Sequence, residues 1–266
     1  MPILHAIVLG IVQGLTEFLP ISSSGHLAIV PWLFKWKELT NNPDLNQTFD
    51  VALHIGTFVG ALAYFWRDIW SIVVTPARHR LGLLLVLSTI PAGLVGIAFE
   101  SSLANANELL IGVMLIVFGL VLYAADKQVA TRTAEMGDRP FGVRDAAIMG
   151  LAQAAALQPG VSRSGVTISA GRFLGFDRES AARLSFLMAM PVIAGAGFVK
   201  GLKIVADGGL GPGLAAPFFW GMLASAVTGA FAVWFLLRLV KTQSFTPFVI
   251  YRVIAGLAII AIYLAR

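Results

Sequence analysis

The chain alternates long apolar runs with short polar breaks, and six of the runs are long enough to cross a bilayer. They cover roughly 50–66, 81–99, 107–125, 184–199, 216–237 and 247–265, judged against about 20 residues per helical span. Two further apolar segments are interrupted. The first reads Gly10-Ile-Val-Gln13-Gly-Leu-Thr-Glu17-Phe-Leu-Pro20-Ile-Ser22-Ser23-Ser24-Gly25-His26, and the second runs from Gly150-Leu-Ala-Gln153 to Pro159-Gly160-Val161-Ser162-Arg163-Ser164-Gly165. The Gly, Gln, Ser, Ser and Gly of the two align without a gap, while the Pro slips by one. Proline lacks the amide donor and Ser/Gly clusters favour turns, so neither segment can be one continuous helix. In hydrocarbon such a break survives only where protein or a watery cavity satisfies the backbone. The pattern therefore predicts two re-entrant helical hairpins meeting at a polar site. Three spans follow each hairpin, and an odd number of crossings turns the second copy upside down relative to the first. The expected fold is an all-α polytopic membrane protein with inverted-topology repeats, repeat 1 at about 1–126 and repeat 2 at about 140–266. No polar linker divides them, so residues 1–266 are expected to form one integral membrane domain.

Composition strengthens this reading. With 58% hydrophobic and 12% charged residues and a mean hydropathy of +0.83, the chain is far more apolar than a soluble domain. Cysteine is absent, which excludes disulfides, thiolate metal sites and a cysteine nucleophile. Met1 to His5 run straight into the first hairpin without the pattern of a cleaved signal, so no removal is expected. The net charge of +5 suits anionic lipid surfaces and an anionic substrate. Nucleic acid is not an expected partner. Placing the loop 67–80 in the cytoplasm puts Arg67, Arg78, Arg80, Lys127, Arg132, Arg139, Arg144, Arg178, Arg183, Arg238 and Lys241 there, eleven basic residues against five outside (Lys35, Lys37, Lys200, Lys203 and Arg266). The positive-inside rule favours that orientation, which turns the mouth of the first hairpin outward.

Ionisable groups at membrane depth are costly and usually functional. Glu17 lies four residues after Gln13, so on a helix both share a face. The carboxylate is a candidate for binding a hard cation or managing a proton, with the amide in support; the plainer reading is a structural glutamate that caps backbone freed at Pro20. Ser22, Ser23 and Ser24 suit a turn, but His26 follows two residues later and brings an imidazole toward a hydroxyl, the minimum for base-activated attack or for protonating a leaving oxygen. Arg163 is flanked by Ser162, Ser164 and glycines, a set of planar donors, hydroxyls and approachable backbone suited to phosphate oxygens. It is equally suited to an ion pair with Glu17. Thr167 adds a hydroxyl one turn on, or packs. His54, inside a span, reads as a packing or hydrogen-bonded histidine. Asp50 and Asp177 read as caps or interface anchors, and Arg172 and Arg252, near segment ends, as residues that snorkel to headgroups.

The motifs at Gln13 to Glu17, Pro20 to His26 and Pro159 to Gly165, with the Ser-Phe-Leu-Met-Ala-Met-Pro run at Ser185 to Pro191, resemble the undecaprenyl-diphosphate phosphatase family of the bacitracin-resistance type over essentially the whole chain. The resemblance implies removal of the terminal phosphate from undecaprenyl diphosphate at the outer face of the bacterial cytoplasmic (inner) membrane, with a divalent cation, Mg2+ or Ca2+. It assigns Glu17 as the essential acidic residue and metal ligand, Ser23 as candidate nucleophile, His26 as acid/base and Arg163 as the phosphate-binding arginine. Gln13, Ser22, Ser24, Ser162, Ser164 and Thr167 are the accompanying candidates for holding substrate phosphate. Gln13 stands where many members carry Glu, which removes one metal carboxylate. The residues themselves leave open whether Ser23 or an activated water attacks. The expected partners are a polyprenyl diphosphate and membrane lipids, and a homodimer is compatible with the reading. Ser24-Gly25-His26 also resembles an element of type-2 phosphatidic acid phosphatases, but those require a histidine after the Ser-Arg pair and none follows Arg163. A transporter or flippase for a lipid phosphate is the alternative that broken, repeated segments suggest.

Overall fold

The structure is a computed structural model that describes residues 1–103, 107–133, 140–206 and 209–266. Its described residues form twelve helices: α1 (Ile3–Phe18), α2 (Ser23–Phe34), α3 (Lys37–Thr40), α4 (Pro43–Val74), α5 (Pro76–Leu87), α6 (Ile90–Leu103), α7 (Glu108–Asp126), α8 (Val143–Ala155), α9 (Arg163–Phe173), α10 (Arg178–Ala206), α11 (Ala215–Leu239) and α12 (Thr246–Ala265). The only β-type pairing among them is an isolated bridge between Arg132 and Phe176. Six stretches are long and apolar enough to cross a membrane: α4, α5 continuing into α6, α7, α10, α11 and α12. The protein is an all-α, multi-pass membrane protein. Arg139, counted above among the basic loop residues, lies outside the described residues.

The two interrupted segments form the expected pairs of short helices. At 1.5 Å per residue α1, with 16 residues, and α2, with 12, fall short of the roughly 30 Å hydrocarbon core. The break is local chemistry. A residue before proline is pushed out of the helical region, and Leu19, preceding Pro20, has φ −66° and ψ 140°. The predicted span 50–66 belongs to a longer helix. Asn42 caps α4 by accepting from Leu45 N at 3.1 Å, Pro43 occupies the first turn, where its missing amide costs nothing, and the helix runs on to Val74. The span predicted at 81–99 is bent at Ser88–Thr89, just before Pro91.

Packing repeats across the two halves. Hairpin helix α1 lies against α11, and hairpin helix α8 against α6; α7 pairs with α12 and α4 with α10. Each hairpin thus leans on the second span of the other half. Small residues allow the closest approach: a Cβ at Gly14 would stand 1.9 Å from Thr228 Oγ1 and 2.6 Å from the Ser225 carbonyl oxygen of α11.

Several arginines depart from the sequence reading. Arg252 and Arg172 do not snorkel. Both are buried, because carbonyls left open at helix ends need donors that lipid cannot supply. Arg252 donates to the carbonyls of Pro20 (3.1 Å), Leu115 (3.0 Å), Gly160 (2.9 Å) and Val161 (3.0 Å), tying the two hairpin tips together. Arg172 donates to the carbonyls of Phe176 (2.6 Å), Asp126 (3.3 Å) and Gln128. It belongs to a charged layer at one end of the bundle, where Arg132 forks onto Asp145 and Arg178 pairs with Asp126 at 2.5 Å. Asp177 does act as a cap, accepting from Ser180 N at 2.8 Å. Asp50 does not; it lies inside α4, and its Oδ1 is buried with no hydrogen-bond partner.

Candidate active site

Both hairpin turns use one backbone device. Ser22 (φ 78°) and Ser162 (φ 76°) adopt the left-handed region that residues other than glycine seldom occupy, a strain characteristic of functional sites. Each then caps the helix that follows, Ser22 Oγ accepting from Gly25 N at 3.4 Å and Ser162 Oγ from Gly165 N at 3.1 Å. The tips interlock: Gly160 N donates to Ser22 Oγ at 3.2 Å, and Ser164 Oγ donates to the Leu19 carbonyl at 3.0 Å. Ser24 and Ser22 hydroxyls lie 3.5 Å apart, and Ser162 and Ser164 hydroxyls 3.2 Å apart. The hydroxyls of Ser22, Ser162 and Ser164 thus hold the turns in shape. Thr167, fully buried, donates to the Arg163 carbonyl at 2.7 Å and bonds Ser185 Oγ at 2.6 Å, which joins α9 to the Ser185–Pro191 run on α10.

The device places residue 23 and residue 163 at the first positions of α2 and α9, and both reach Glu17. Ser23 Oγ donates to Glu17 Oε2 at 2.6 Å. Arg163 Nη2 donates to Glu17 Oε1 at 2.8 Å. Gln13 Nε2, one turn before Glu17 on α1, donates to Oε2 at 3.0 Å, and His54 Nε2 of α4 stands 3.3 Å from the same oxygen. Glu17 is almost wholly buried, and a carboxylate held in apolar surroundings keeps its charge only through such donors. Among the candidates, Gln13, Glu17, Ser23 and Arg163 therefore form one contact set. A serine hydroxyl on a carboxylate beside a guanidinium is the arrangement for general-base activation of an oxygen nucleophile toward an anionic electrophile. The N-termini of α2 and α9 add their dipoles to the same region.

His26 is placed elsewhere. Its Nδ1 lies 2.7 Å from the Ser22 carbonyl and its Nε2 2.6 Å from Tyr251 Oη, with the two rings stacked. A carbonyl can only accept, so Nδ1 carries the proton toward Ser22, and in the neutral ring Nε2 accepts from the tyrosine. The partner of Ser23 is Glu17. The residue that sequence reasoning missed is His54: expected to be a packing histidine, it sits on the Glu17 carboxylate, with Nδ1 2.7 Å from the Asp50 carbonyl. Asp50 and His54, two ionisable residues four apart inside an apolar span, were the signal available.

For a divalent cation the observation that matters is Gln13 Oε1, a buried oxygen with no hydrogen-bond partner on the side chain whose amide nitrogen already touches Glu17. An amide oxygen and a carboxylate side by side suit a hard cation. Among the described residues no three His, Asp or Glu side chains gather to hold an ion by themselves, so these residues fit a cation whose shell is completed by oxygens of a ligand.

Comparison with known proteins gives the family. Residues 6–258 match the family model described as bacitracin resistance protein BacA. The chain is 47% identical to a protein of Pelobacter propionicus over 279 residues, covering 99% of this chain and 98% of that one. It is 45% identical to one of Pelotomaculum thermopropionicum over 275 residues, covering 100% and 98%, and 48% identical to one of Desulforudis audaxviator over 270 residues, covering 98% of each. All three relatives are named undecaprenyl-diphosphatase. The chain belongs to the bacitracin resistance protein BacA family.

Proposed function

We propose that this protein is an enzyme that hydrolyses undecaprenyl diphosphate to undecaprenyl phosphate and inorganic phosphate, recycling the lipid carrier of cell-wall synthesis. The observation that carries the mechanism is the 2.6 Å hydrogen bond from Ser23 Oγ to Glu17. Ser23 Oγ attacks the terminal phosphorus while its proton passes to Glu17. The bond from that phosphorus to the bridging oxygen breaks, and undecaprenyl phosphate leaves with the electron pair. Water then attacks the phosphoserine, and the serine oxygen recovers its proton from Glu17 as inorganic phosphate forms. Arg163, which rests on Glu17 in this structure, turns its remaining donors to the phosphoryl oxygens, where a planar fork binds two at once. His54 exchanges protons with Glu17 Oε2. His26, Ser22, Ser24, Ser162, Ser164 and Thr167 keep the hairpin turns in register beneath the phosphate. Glu17 and Gln13 Oε1 are the residues that would hold a divalent cation, Mg2+ or Ca2+, together with substrate oxygens and water; such an ion would neutralise phosphoryl charge.

The swapped contacts of the two halves support one integral membrane domain built from repeats at about 1–126 and 140–266. The eleven-to-five basic count supports an orientation with the site open outward, and the lipid carrier as substrate supports residence in the bacterial inner membrane. The lipid substrate and bilayer lipids are the proposed partners; neither nucleic acid nor a second copy of the chain is needed for the site. The test is phosphate release from a C55 diphosphate by the purified protein in detergent, with and without chelator. Release that falls with chelator is expected. A protein that binds the lipid but releases no phosphate would be the carrier or flippase of the alternative reading.

A further inference from the structure

Beside Arg163 lies a cavity of about 230 Å³ between α4, α6, α8, α9 and α10. His54, Gln153 and Arg163 are polar residues of its lining; Val51, Leu157 and Ile193 are among the apolar ones. Gln153 is 2% exposed, and neither its Nε2 nor its Oε1 has a hydrogen-bond partner. A buried amide with nothing to bond is destabilising, and such a group lining a cavity calls for a ligand that completes it. The aligned residue in the other hairpin, Gln13, spends its amide on Glu17 four residues later. Gln153 has Leu157 at that place, so its amide stays available.

We infer that Gln153 is a substrate-contacting residue whose amide donates to the lipid-side phosphate of the diphosphate. This rests on the phosphatase reading and deepens it. With the terminal phosphorus at Ser23 and Arg163, the second phosphate points to one side of Arg163 or the other, and only a side that changes from polar to apolar suits a phosphate bearing a prenyl chain. The cavity beside Arg163 supplies both kinds of lining, His54, Gln153 and Arg163 together with apolar side chains of α4, α6 and α10. As the bridging bond breaks, negative charge grows on the lipid phosphate, and a donor already desolvated in the cavity lining stabilises it. Gln153 thus favours departure of undecaprenyl phosphate and binds that product, but not inorganic phosphate.

The test uses full-length Gln153→Met, an apolar isostere, purified in detergent beside the wild type. Expected are a loss of at least tenfold in kcat/KM on the C55 diphosphate, an inhibition constant for undecaprenyl phosphate raised at least fivefold, an unchanged inhibition constant for inorganic phosphate, and a melting temperature equal to or above that of the wild type. The last follows because the substitution removes an unsatisfied polar group; a merely structural glutamine would lose stability instead. Gln153→Glu, which sets a carboxylate against the lipid phosphate, should lose more than Gln153→Met. A Met variant within twofold of wild type in kcat/KM, one that fails to fold, or equal weakening of both inhibitors overturns the assignment. Should the wild type release no phosphate while its affinity for undecaprenyl phosphate still depends on Gln153, the phosphatase reading falls and the contact stands.

Discussion

The two hairpins share a backbone and divide the chemistry. Each breaks near a proline, each caps its second helix with a left-handed serine, and each places a glycine three residues after that serine. They differ at a few aligned positions: Glu17 against Leu157, Ser23 against Arg163, His26 against Val166. Symmetry builds the scaffold, and the exceptions to it carry charge and nucleophile. Because the tips interlock through Ser22 and Ser164, the hydroxyl of one repeat and the guanidinium of the other reach opposite oxygens of one carboxylate. Neither half alone could assemble that set.

The comparison breaks first at Ser23. If the asymmetric serine attacks phosphorus, Ser23→Ala should lower phosphate release by at least about 10³-fold, a barrier change of about 4 kcal/mol. Loss of one neutral hydrogen bond explains only about 0.5–1.5 kcal/mol. A Ser23→Ala enzyme within tenfold of wild type would show that water attacks and that Ser23 merely holds phosphate. Its aligned counterpart gives the next largest effect. Arg163→Lys should lose roughly 10²-fold in kcat/KM, because a point charge cannot reproduce a fork that engages Glu17 and two phosphate oxygens. Near-normal turnover by the lysine enzyme would reduce Arg163 to a charge.

What the sequence reveals and what it hides divide along the same line. The hairpins are legible because their causes are local: proline, serine and glycine act within a few residues of themselves. The Glu17 and Arg163 pair is legible because two charges of opposite sign in apolar segments have few other partners. His54 is not, since nothing in an apolar span states that its register brings one imidazole onto a carboxylate of α1. Arg252 and Arg172 mislead for a related reason. Distance from a segment end says where a long side chain could reach water, but the open carbonyls of Pro20, Gly160 and Val161 that claim Arg252 exist only after both hairpins have folded against α12.

Arg252 therefore tests the shared part of the comparison rather than its exceptions. Replacing it with methionine keeps much of the volume and strips donors from carbonyls of both tips at once. Arg252→Met should lower the melting temperature in detergent by several degrees and reduce activity about tenfold, since the turns carrying Ser23 and Arg163 lose a common anchor. A variant with wild-type melting behaviour and activity would mean that the serine caps hold the tips unaided.

The smallest expected effect sharpens the division of labour inside the site. His54 stands outside both hairpins, on α4, with Nε2 facing the carboxylate that the hairpins share and Nδ1 on the Asp50 carbonyl of its own helix. Glutamine at this position can still donate a hydrogen bond to Glu17 Oε2 but cannot take up and release a proton near neutral pH, as an imidazole can. His54→Gln should therefore leave the fold and KM close to wild type and lower kcat by about three- to tenfold. Its pH profile should also change in shape, whereas a packing role predicts a change in height alone. His26→Gln is the matching control, because His26 bonds the Ser22 carbonyl and Tyr251 rather than Glu17. If the shape change follows His26 and spares His54, proton exchange runs through α2 and Tyr251, and the role assigned to α4 is wrong.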